Sequence, residues 1–273
     1  MPAHQQQRDT DGIGVLTPGF RRPYWGAARS VAEKEIREAG RHMIVASSCE
    51  GREDGEALAL LRRYGCGGVM MLGTHLAERE LVLVSEDSFA TAIVDRHVGA
   101  LAQDCFGVDH HRSAAMVADY LLGRGHSKFA VVTGPLCIEA ARQKLEGFSA
   151  RVEQASLTID QRLVFQGAYT LESGRRAAEA FLKTGLQFTA LFCGNDEMAV
   201  GAKSVLERAG RKVEVFGYEN IAPWNELETG INSVAVPIES IVANACAHLL
   251  NQCDGGNRPV QRRFETELVI RSA

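Results

Sequence analysis

Short apolar runs alternate along the chain with longer segments whose apolar residues recur at helical spacing. The run TALFCG (189–194) is followed at once by the segment 196–209, in which apolar residues form a stripe on one side of a helix. Strands that are apolar throughout are typical of parallel sheets covered on both faces. The alternation therefore predicts an α/β fold of parallel sheets flanked by helices. In such folds, ligands bind beyond the carboxyl ends of the strands, where the helices begin.

Size, charge and hydropathy exclude several classes of function. The 273 residues, 45% of them apolar, suffice for one large α/β domain or for two lobes with a sizeable core. A net charge of −4 provides no basic surplus, so we expect no nucleic-acid binding by this chain as it stands. No apolar run approaches the length of a membrane span, so we expect no membrane association.

The first residues and the cysteines indicate where such a protein works. The start MPAHQQQRDTDGIG has neither the apolar core nor the cleavage site of a secretory signal, so residues 1–11 are expected to form a flexible lead-in. The seven cysteines are scattered, and none lies in a CxxC motif. We therefore expect the reduced thiols of a cytoplasmic protein rather than a disulfide framework or a zinc site.

Polar and aromatic side chains gather where predicted strands pass into predicted helices. Because the carboxyl ends of parallel strands share one edge of a sheet, these side chains are expected to line one rim. Aromatic rings, carboxylates, an amide and guanidinium groups together suit a sugar or a similar polar ring. The residues at these junctions are Arg21, Arg22, Tyr24, Trp25, Asp95, Arg96, Asp109, Tyr169, Asn195, Glu219 and Asn220.

The pair Asn195–Asp196 stands at one of these junctions. Asp196 directly precedes the helical stripe, so its carboxylate is expected to accept hydrogen bonds from the first turn as the N-cap. That role leaves the Asn195 amide to face a ligand. Asn195 is therefore predicted to bind and Asp196 to begin the helix.

The sequence carries none of three common catalytic and cofactor motifs. It contains no GxSxG elbow, no P-loop and no dinucleotide fingerprint, so we expect no enzyme and no cofactor. His110 and His111 are adjacent, and adjacent helix positions do not face one another, so we expect no metal site. Carboxylate pairs such as Glu219 with Asp95 are capable of acid–base work, but nothing in the sequence singles them out for it.

Four motifs, in order, resemble the effector-binding core of the LacI/GalR family of bacterial transcription regulators. They are GVDHHRSAAMVADYLLGRGHSKFAVVTGP (107–135), KLEGF (144–148), GNDEMAVGA (194–202) and VFGYENIA (215–222). Each is weak alone, but several in register make chance similarity improbable. The resemblance covers residues 12–271 and implies the type I periplasmic-binding-protein fold.

This resemblance implies two α/β lobes, each a parallel sheet flanked by helices, with a ligand cleft between them. The chain is expected to cross between the lobes near residues 125, 236 and 257. The expected division is a lead-in at 1–11, an N-terminal lobe at 12–125 plus 237–256, and a C-terminal lobe at 126–236 plus 257–273.

The function implied by the resemblance is that of a ligand-controlled DNA-binding regulator. The core is expected to bind a small polar effector, a sugar or sugar derivative, and to form a homodimer. Operator DNA is expected to bind only through an N-terminal helix-turn-helix domain that this chain lacks, since about eleven polar residues precede the first strand. The alternatives are a free-standing solute-binding protein for a sugar transporter, which requires an export signal, and an α/β enzyme acting on a sugar or nucleotide.

The resemblance also assigns ligand contacts, with three departures from the family pattern. Arg22 stands where the family often has Asn, and Glu219 replaces the Asp of a GYD motif. Lys144 stands where a ligand-gripping Arg is common, and Arg142 is an alternative for that role. Lys lacks the flat bidentate fork of Arg. The predicted ligand-binding residues are Arg22, Tyr24, Trp25, Asp95, Asp109, Lys144, Tyr169, Asn195 and Glu219.

Overall fold

A computed structural model describes residues 11–19, 21–48, 54–74, 90–96, 104–226, 230–256 and 260–271. The chain divides into two compact units, each built around its own parallel sheet. The first unit comprises Met1–Gly107 and Pro237–Phe264, and the second comprises Val108–Val236 and Glu265–Ala273.

Strands and helices alternate in the described part of the chain as the sequence predicts. The strands are β1 (Gly12–Pro18), β2 (His42–Ser48), β3 (Gly68–Leu72), β4 (Ala90–Val94), β5 (Asp104–Val108), β6 (Phe129–Thr133), β7 (Val164–Gln166), β8 (Ala190–Cys193), β9 (Glu214–Phe216), β10 (Ser233–Ala235), β11 (Gln261–Phe264) and β12 (Glu267–Val269). The helices are α1 (Pro23–Glu38), α2 (Asp54–Arg63), α3 (His110–Gly123), α4 (Glu139–Gln154), α5 (Leu171–Lys183), α6 (Asp196–Arg208) and α7 (Ile238–Cys253).

The first unit carries a sheet with the strand order β11-β5-β4-β3-β1-β2, in which β1 to β5 pair in parallel. On one face, Leu16 and Val69 belong to a buried apolar cluster with Leu61 of α2. On the other face α7 packs closely over β3. A Cβ atom at Gly68 of β3 would stand 2.9 Å from the Cys253 Sγ atom of α7. Cover on both faces explains why these strands are apolar throughout.

The second unit carries a parallel sheet, β7-β6-β8-β9, and the antiparallel pair β10-β12. The ring of Phe148 on α4 stacks on Phe192 of β8, with the ring centroids 5.0 Å apart. Leu191 and Cys193, the alternate residues of β8, instead belong to the core formed with α5 and α6. Helices cover this sheet on both faces as well, which confirms the predicted α/β fold.

Two glycines allow α5 and α6 to pack with their backbones in direct contact. A Cβ atom at Gly174 would lie 2.1 Å from the Met198 carbonyl oxygen, and one at Gly201 would lie 2.1 Å from the Leu171 carbonyl oxygen. Real Cβ atoms do not approach backbone oxygens this closely, so the helix spacing depends on glycine at both positions.

The boundaries between the units differ in part from the expected crossings. The structure changes unit after Gly107, Val236 and Phe264, whereas the resemblance implies crossings near 125, 236 and 257. The first difference concerns α3, which packs along α4 of the second unit. The Ser113 hydroxyl of α3 also lies 2.8 Å from the Thr266 hydroxyl. The predicted lead-in lies outside the described residues except for its last residue.

Among the helices of the described ranges, none combines the length and the apolar character that crossing a bilayer requires.

Candidate functional site

Predicted ligand residues lie at the carboxyl edge of the second unit's sheet. Tyr169 follows β7, Asn195 follows β8 and Glu219 follows β9, while Lys144 reaches this edge from α4. All four side chains are buried, with exposed fractions of 2–7%. Tyr169 and Glu219 have positive φ angles of 59° and 101°, so both residues lie in turns rather than in continuing strands.

The Lys144 ammonium group is held at the end of β8. Its Nζ atom donates a hydrogen bond to the Gly194 carbonyl oxygen at 3.1 Å. The same atom stands 3.8 Å from the ring centroid of Tyr218 and 5.8 Å from that of Tyr169, which are cation–π distances. Arg142, the alternative, donates to the Leu136 and Cys137 carbonyl oxygens of the loop before α4.

Tyr218 is a member of the site that the sequence analysis missed. It is 1% exposed, and its hydroxyl lies 3.0 Å from Nδ1 of the buried His110. Its place in the sequence could have indicated this role, because Tyr218 ends the run VEVFGY (213–218) and directly precedes the predicted contact Glu219. The apolar run predicts a strand that includes this tyrosine, whereas β9 ends at Phe216 and the Tyr218 ring faces the Lys144 ammonium group.

The Tyr169 ring lies directly on the backbone at the end of β6. A Cβ atom at Gly134 would stand 2.0 Å from the Tyr169 Cζ atom. Glycine is therefore required there for the ring to keep its position. The ring and the Lys144 ammonium group together form a cationic and aromatic surface at this edge.

The structure corrects the predicted N-cap of α6, while ligand contact by Asn195 stays a prediction. Asn195, not Asp196, is the N-cap of α6, since its Oδ1 atom accepts a hydrogen bond from the Met198 N–H at 3.0 Å. Its Nδ2 atom donates to the Tyr169 carbonyl oxygen at 3.3 Å. The amide predicted to be left for a ligand thus begins the helix and holds the backbone of Tyr169.

Asp196 is buried among polar groups from distant parts of the unit. Its carboxylate accepts from the Asn220 N–H at 2.7 Å and from the Ser233 hydroxyl at 2.5 Å. Burial, together with the nearby charge of Glu219, raises the pKa of this carboxyl to about 7. The hydrogen bonds from Ser233 and Asn220 oppose the rise, because they favour the charged form.

Asp109, a further predicted contact, caps a helix in the second unit. Its Oδ1 atom accepts from the Arg112 N–H at 2.9 Å at the start of α3. The structure therefore gives Asp109 a local role, and its contact with a ligand stays a prediction.

The remaining predicted contacts lie at the carboxyl edge of the first unit's sheet. The Trp25 ring covers Gly73, where a Cβ atom would stand 2.4 Å from the Trp25 Cζ2 atom. Tyr24 packs edge-on against this ring at 4.8 Å, and the Arg22 guanidinium lies 5.8 Å from it. The buried indole Nε1 atom has no acceptor among the described residues. Asp95, at the end of β4, has a positive φ of 66°.

Replacing Asn195 by alanine is expected to lower the free energy of unfolding by about 1–2 kcal/mol, because the cap bond and the bond to Tyr169 are both lost. Urea denaturation followed by circular dichroism measures this change. Asn195→Asp keeps the cap acceptor and should recover part of the loss. Equal stability of Asn195→Ala and the wild type would contradict the capping role.

The second half of the chain matches the family model of the periplasmic binding protein-like domain over residues 118–273. This match covers more than half of the chain. The chain belongs to the periplasmic binding protein-like family. Among the curated relatives of this family member is the HTH-type transcriptional regulator AscG of Escherichia coli K12. The two are 23% identical over 270 residues, which cover 97% of this chain and 80% of AscG.

Solved structures agree with this membership. A LacI-family transcriptional regulator from Burkholderia phymatum is 27% identical, with a TM-score of 0.86 over 96% of this chain and 98% of that one. The regulator CelR, solved as a complex with cellobiose, is 23% identical, with a TM-score of 0.86 over 97% of this chain and 85% of its own.

These findings confirm the resemblance to the effector-binding core of the LacI/GalR family. The relatives are transcription regulators, so the solute-binding alternative for a sugar transporter is not favoured.

Proposed function

We propose that this periplasmic binding protein-like chain binds a sugar or sugar derivative and forms the effector-binding and dimerisation part of a LacI/GalR-type regulator. The observation that carries the proposal is the buried ammonium group of Lys144, which faces the rings of Tyr218 and Tyr169. Further support is that the regulator CelR was solved with cellobiose bound.

The chemistry of this edge suits a polyhydroxylated ring. Tyrosine rings offer flat apolar faces for the C–H groups of a sugar. Lys144 donates hydrogen bonds and Glu219, when ionised, accepts them, so the two together match hydroxyl groups that do both. The charges of Lys144 and ionised Glu219 are equal and opposite, which favours a neutral ligand. We therefore propose Lys144, Tyr169, Tyr218 and Glu219 as the principal contacts.

The proposed mechanism is a shift between two states of a homodimer. The effector binds one state more tightly and so changes its population, and operator affinity then changes through a DNA-binding domain of the full regulator. The coupling is reciprocal, so operator DNA changes effector affinity by the same factor. The protein acts in the cytoplasm, where the operator is, and releases its effector unchanged.

A panel of mono- and disaccharides, titrated by calorimetry, is expected to contain a ligand whose affinity falls at least about tenfold in Glu219→Gln and in Lys144→Met, because each substitution removes a hydrogen bond to a charged group. Glu172→Gln is the matched control, since Glu172 is exposed on α5 with 70% of its side chain in solvent. Its affinity should equal that of the wild type.

Unchanged affinity in both Glu219→Gln and Lys144→Met would contradict the assignment of the effector to this edge. Chemical conversion of the bound sugar would instead support an enzyme. Trp25→Phe tests the first unit's edge separately, because it removes the indole N–H and one of the two fused rings but keeps an aromatic side chain. Sedimentation velocity of the same samples tests the homodimer.

A further inference from the structure

A second groove lies at the opposite, amino edge of the second unit's sheet, with a volume of about 400 Å³. It is lined by the residues after α3, by the second half of α6 and by the chain that leads from α6 into β9. Thr189, directly before β8, also contributes. The groove is thus separate from the edge that carries Lys144 and Glu219.

Positive charge exceeds negative charge in this groove. Four lining side chains are basic, Arg124, Lys203, Arg211 and Lys212, and two are acidic, Glu207 and Glu214. The whole chain has the opposite balance, with a net charge of −4. A local surplus of cations on an acidic protein is a feature that the effector site does not explain.

The negative charge of Glu214 is largely compensated by neighbouring groups of the protein. Only 8% of its side chain is exposed, and its carboxylate accepts a hydrogen bond from Asn232 Nδ2 at 3.0 Å. The same carboxylate lies 2.9 Å from His126 Nε2 and 3.5 Å from Arg124 Nε. Glu214 therefore positions the His126 and Arg124 side chains at the groove more than it repels an incoming anion.

Two of the cations keep donors for a ligand. Arg211 lies over the Phe188 ring at 5.3 Å and donates from Nη2 to the Phe188 carbonyl oxygen at 3.4 Å, which fixes the plane of its guanidinium group. That hydrogen bond uses one of its five N–H groups. Lys212, beside it, is exposed, and its ammonium group has no partner among the described residues.

The groove also has apolar lining, and its size is that of a small-molecule site. Leu206, Val213 and Val215 are the apolar residues of this lining. Pockets for small ligands usually have volumes of about 300–1,000 Å³ and combine apolar walls with a few polar groups. Arginine and lysine together are the side chains that bind phosphate oxygens most strongly.

We propose that this basic groove binds a small metabolite that carries a phosphate group. The phosphate lies between Arg211, Lys212 and Arg124, and the body of the ligand covers Leu206 and Val213. The groove is then a second ligand site on the same unit, independent of the proposed sugar site.

The test uses the full chain in phosphate-free buffer, titrated with inorganic phosphate, a hexose phosphate and the parent hexose. The hexose phosphate is expected to bind, and its affinity should fall at least about fivefold in Lys212→Glu and in Arg211→Gln, because each removes charge-assisted hydrogen bonds. The affinity should also fall as salt is added, since exposed charges are screened. Lys34→Glu is the matched control, because Lys34 is an exposed lysine of the first unit and the change in charge is identical.

Three results would overturn the proposal. One is the absence of binding by either phosphate probe at concentrations up to about 10 mM. A second is an equal effect of Lys212→Glu and Lys34→Glu, which would indicate general attraction only. The third is loss of hexose phosphate binding in Lys144→Met but not in Lys212→Glu, which would assign the ligand to the sugar site and leave the proposed function intact.

Discussion

Replacing Gly201 by alanine is expected to lower the free energy of unfolding by about 3 kcal/mol, because the added methyl group has no room between α5 and α6. Its Cβ atom would stand 2.1 Å from the Leu171 carbonyl oxygen and 3.2 Å from the Arg175 nitrogen. Both neighbours are backbone atoms, so relief requires one helix to move away from the other. Gly174→Ala should have a similar effect, since it meets the Met198 carbonyl oxygen from the opposite side.

Urea denaturation of the purified variants measures the free energy of unfolding and so tests this prediction, with Gly123→Ala as the matched control. Gly123 is also helical, at the end of α3, and a Cβ atom there would meet no atom of the described residues within 4 Å apart from its own stretch of helix. Alanine there should leave stability unchanged or raise it by up to about 1 kcal/mol, since alanine favours helix. Similar losses in Gly123→Ala and Gly201→Ala would show that helix packing is not the cause.

The wild-type protein is expected to lose stability as the pH rises from about 5 to about 8, with Asp196 contributing about 2–4 kcal/mol of the loss. The ordinary pKa of this carboxyl is 3.8, and burial raises it to about 7 in the folded protein. Between these values the folded state holds a proton that the unfolded state has released. Stability therefore falls with rising pH through this range, and the decrease ends above the folded pKa.

Comparison with Asp196→Asn isolates this contribution. The amide cannot ionise, so the variant should show a smaller decrease in the free energy of unfolding between the same pH values. Its stability should be close to that of the wild type at pH 5, because the protonated carboxyl and the amide each offer one acceptor oxygen to the Asn220 N–H and one donor to the Ser233 hydroxyl, which accepts as well as donates. Parallel pH dependence of the two proteins would show that Asp196 is not the group that titrates.

The elements of the fold were predictable because their signal is local. The apolar run at 189–194 contains β8, and the stripe at 196–209 matches α6 to within one residue. Residues buried on both faces of a parallel strand must be apolar whatever their neighbours are, so a short stretch of sequence suffices. The placement of Tyr169, Asn195 and Glu219 at one edge of the sheet was also predictable, because each of them follows a strand of the same parallel sheet.

The division of roles within the site was not predictable from local sequence. Asn and Asp both cap helices well, so the order Asn195–Asp196 alone does not decide which of them caps α6. The choice depends on Ser233 and Asn220, which supply hydrogen bonds to Asp196 from distant parts of the chain. Tyr218 was missed for the same reason, because its contacts with Lys144 and His110 exist only in the folded unit.

The left-handed backbone at three predicted contacts has a consequence for engineering. Asp95, Tyr169 and Glu219 have φ angles of 66°, 59° and 101°, which cost free energy in residues other than glycine. Glycine at these positions would relax the backbone and remove the side chain proposed to meet the effector. A screen that selects for thermal tolerance alone is therefore expected to enrich glycine at Asp95 and Glu219, but not at Tyr169, where the loss of a buried ring costs more than the strained angle. The selected proteins would be more stable but would bind the effector less well.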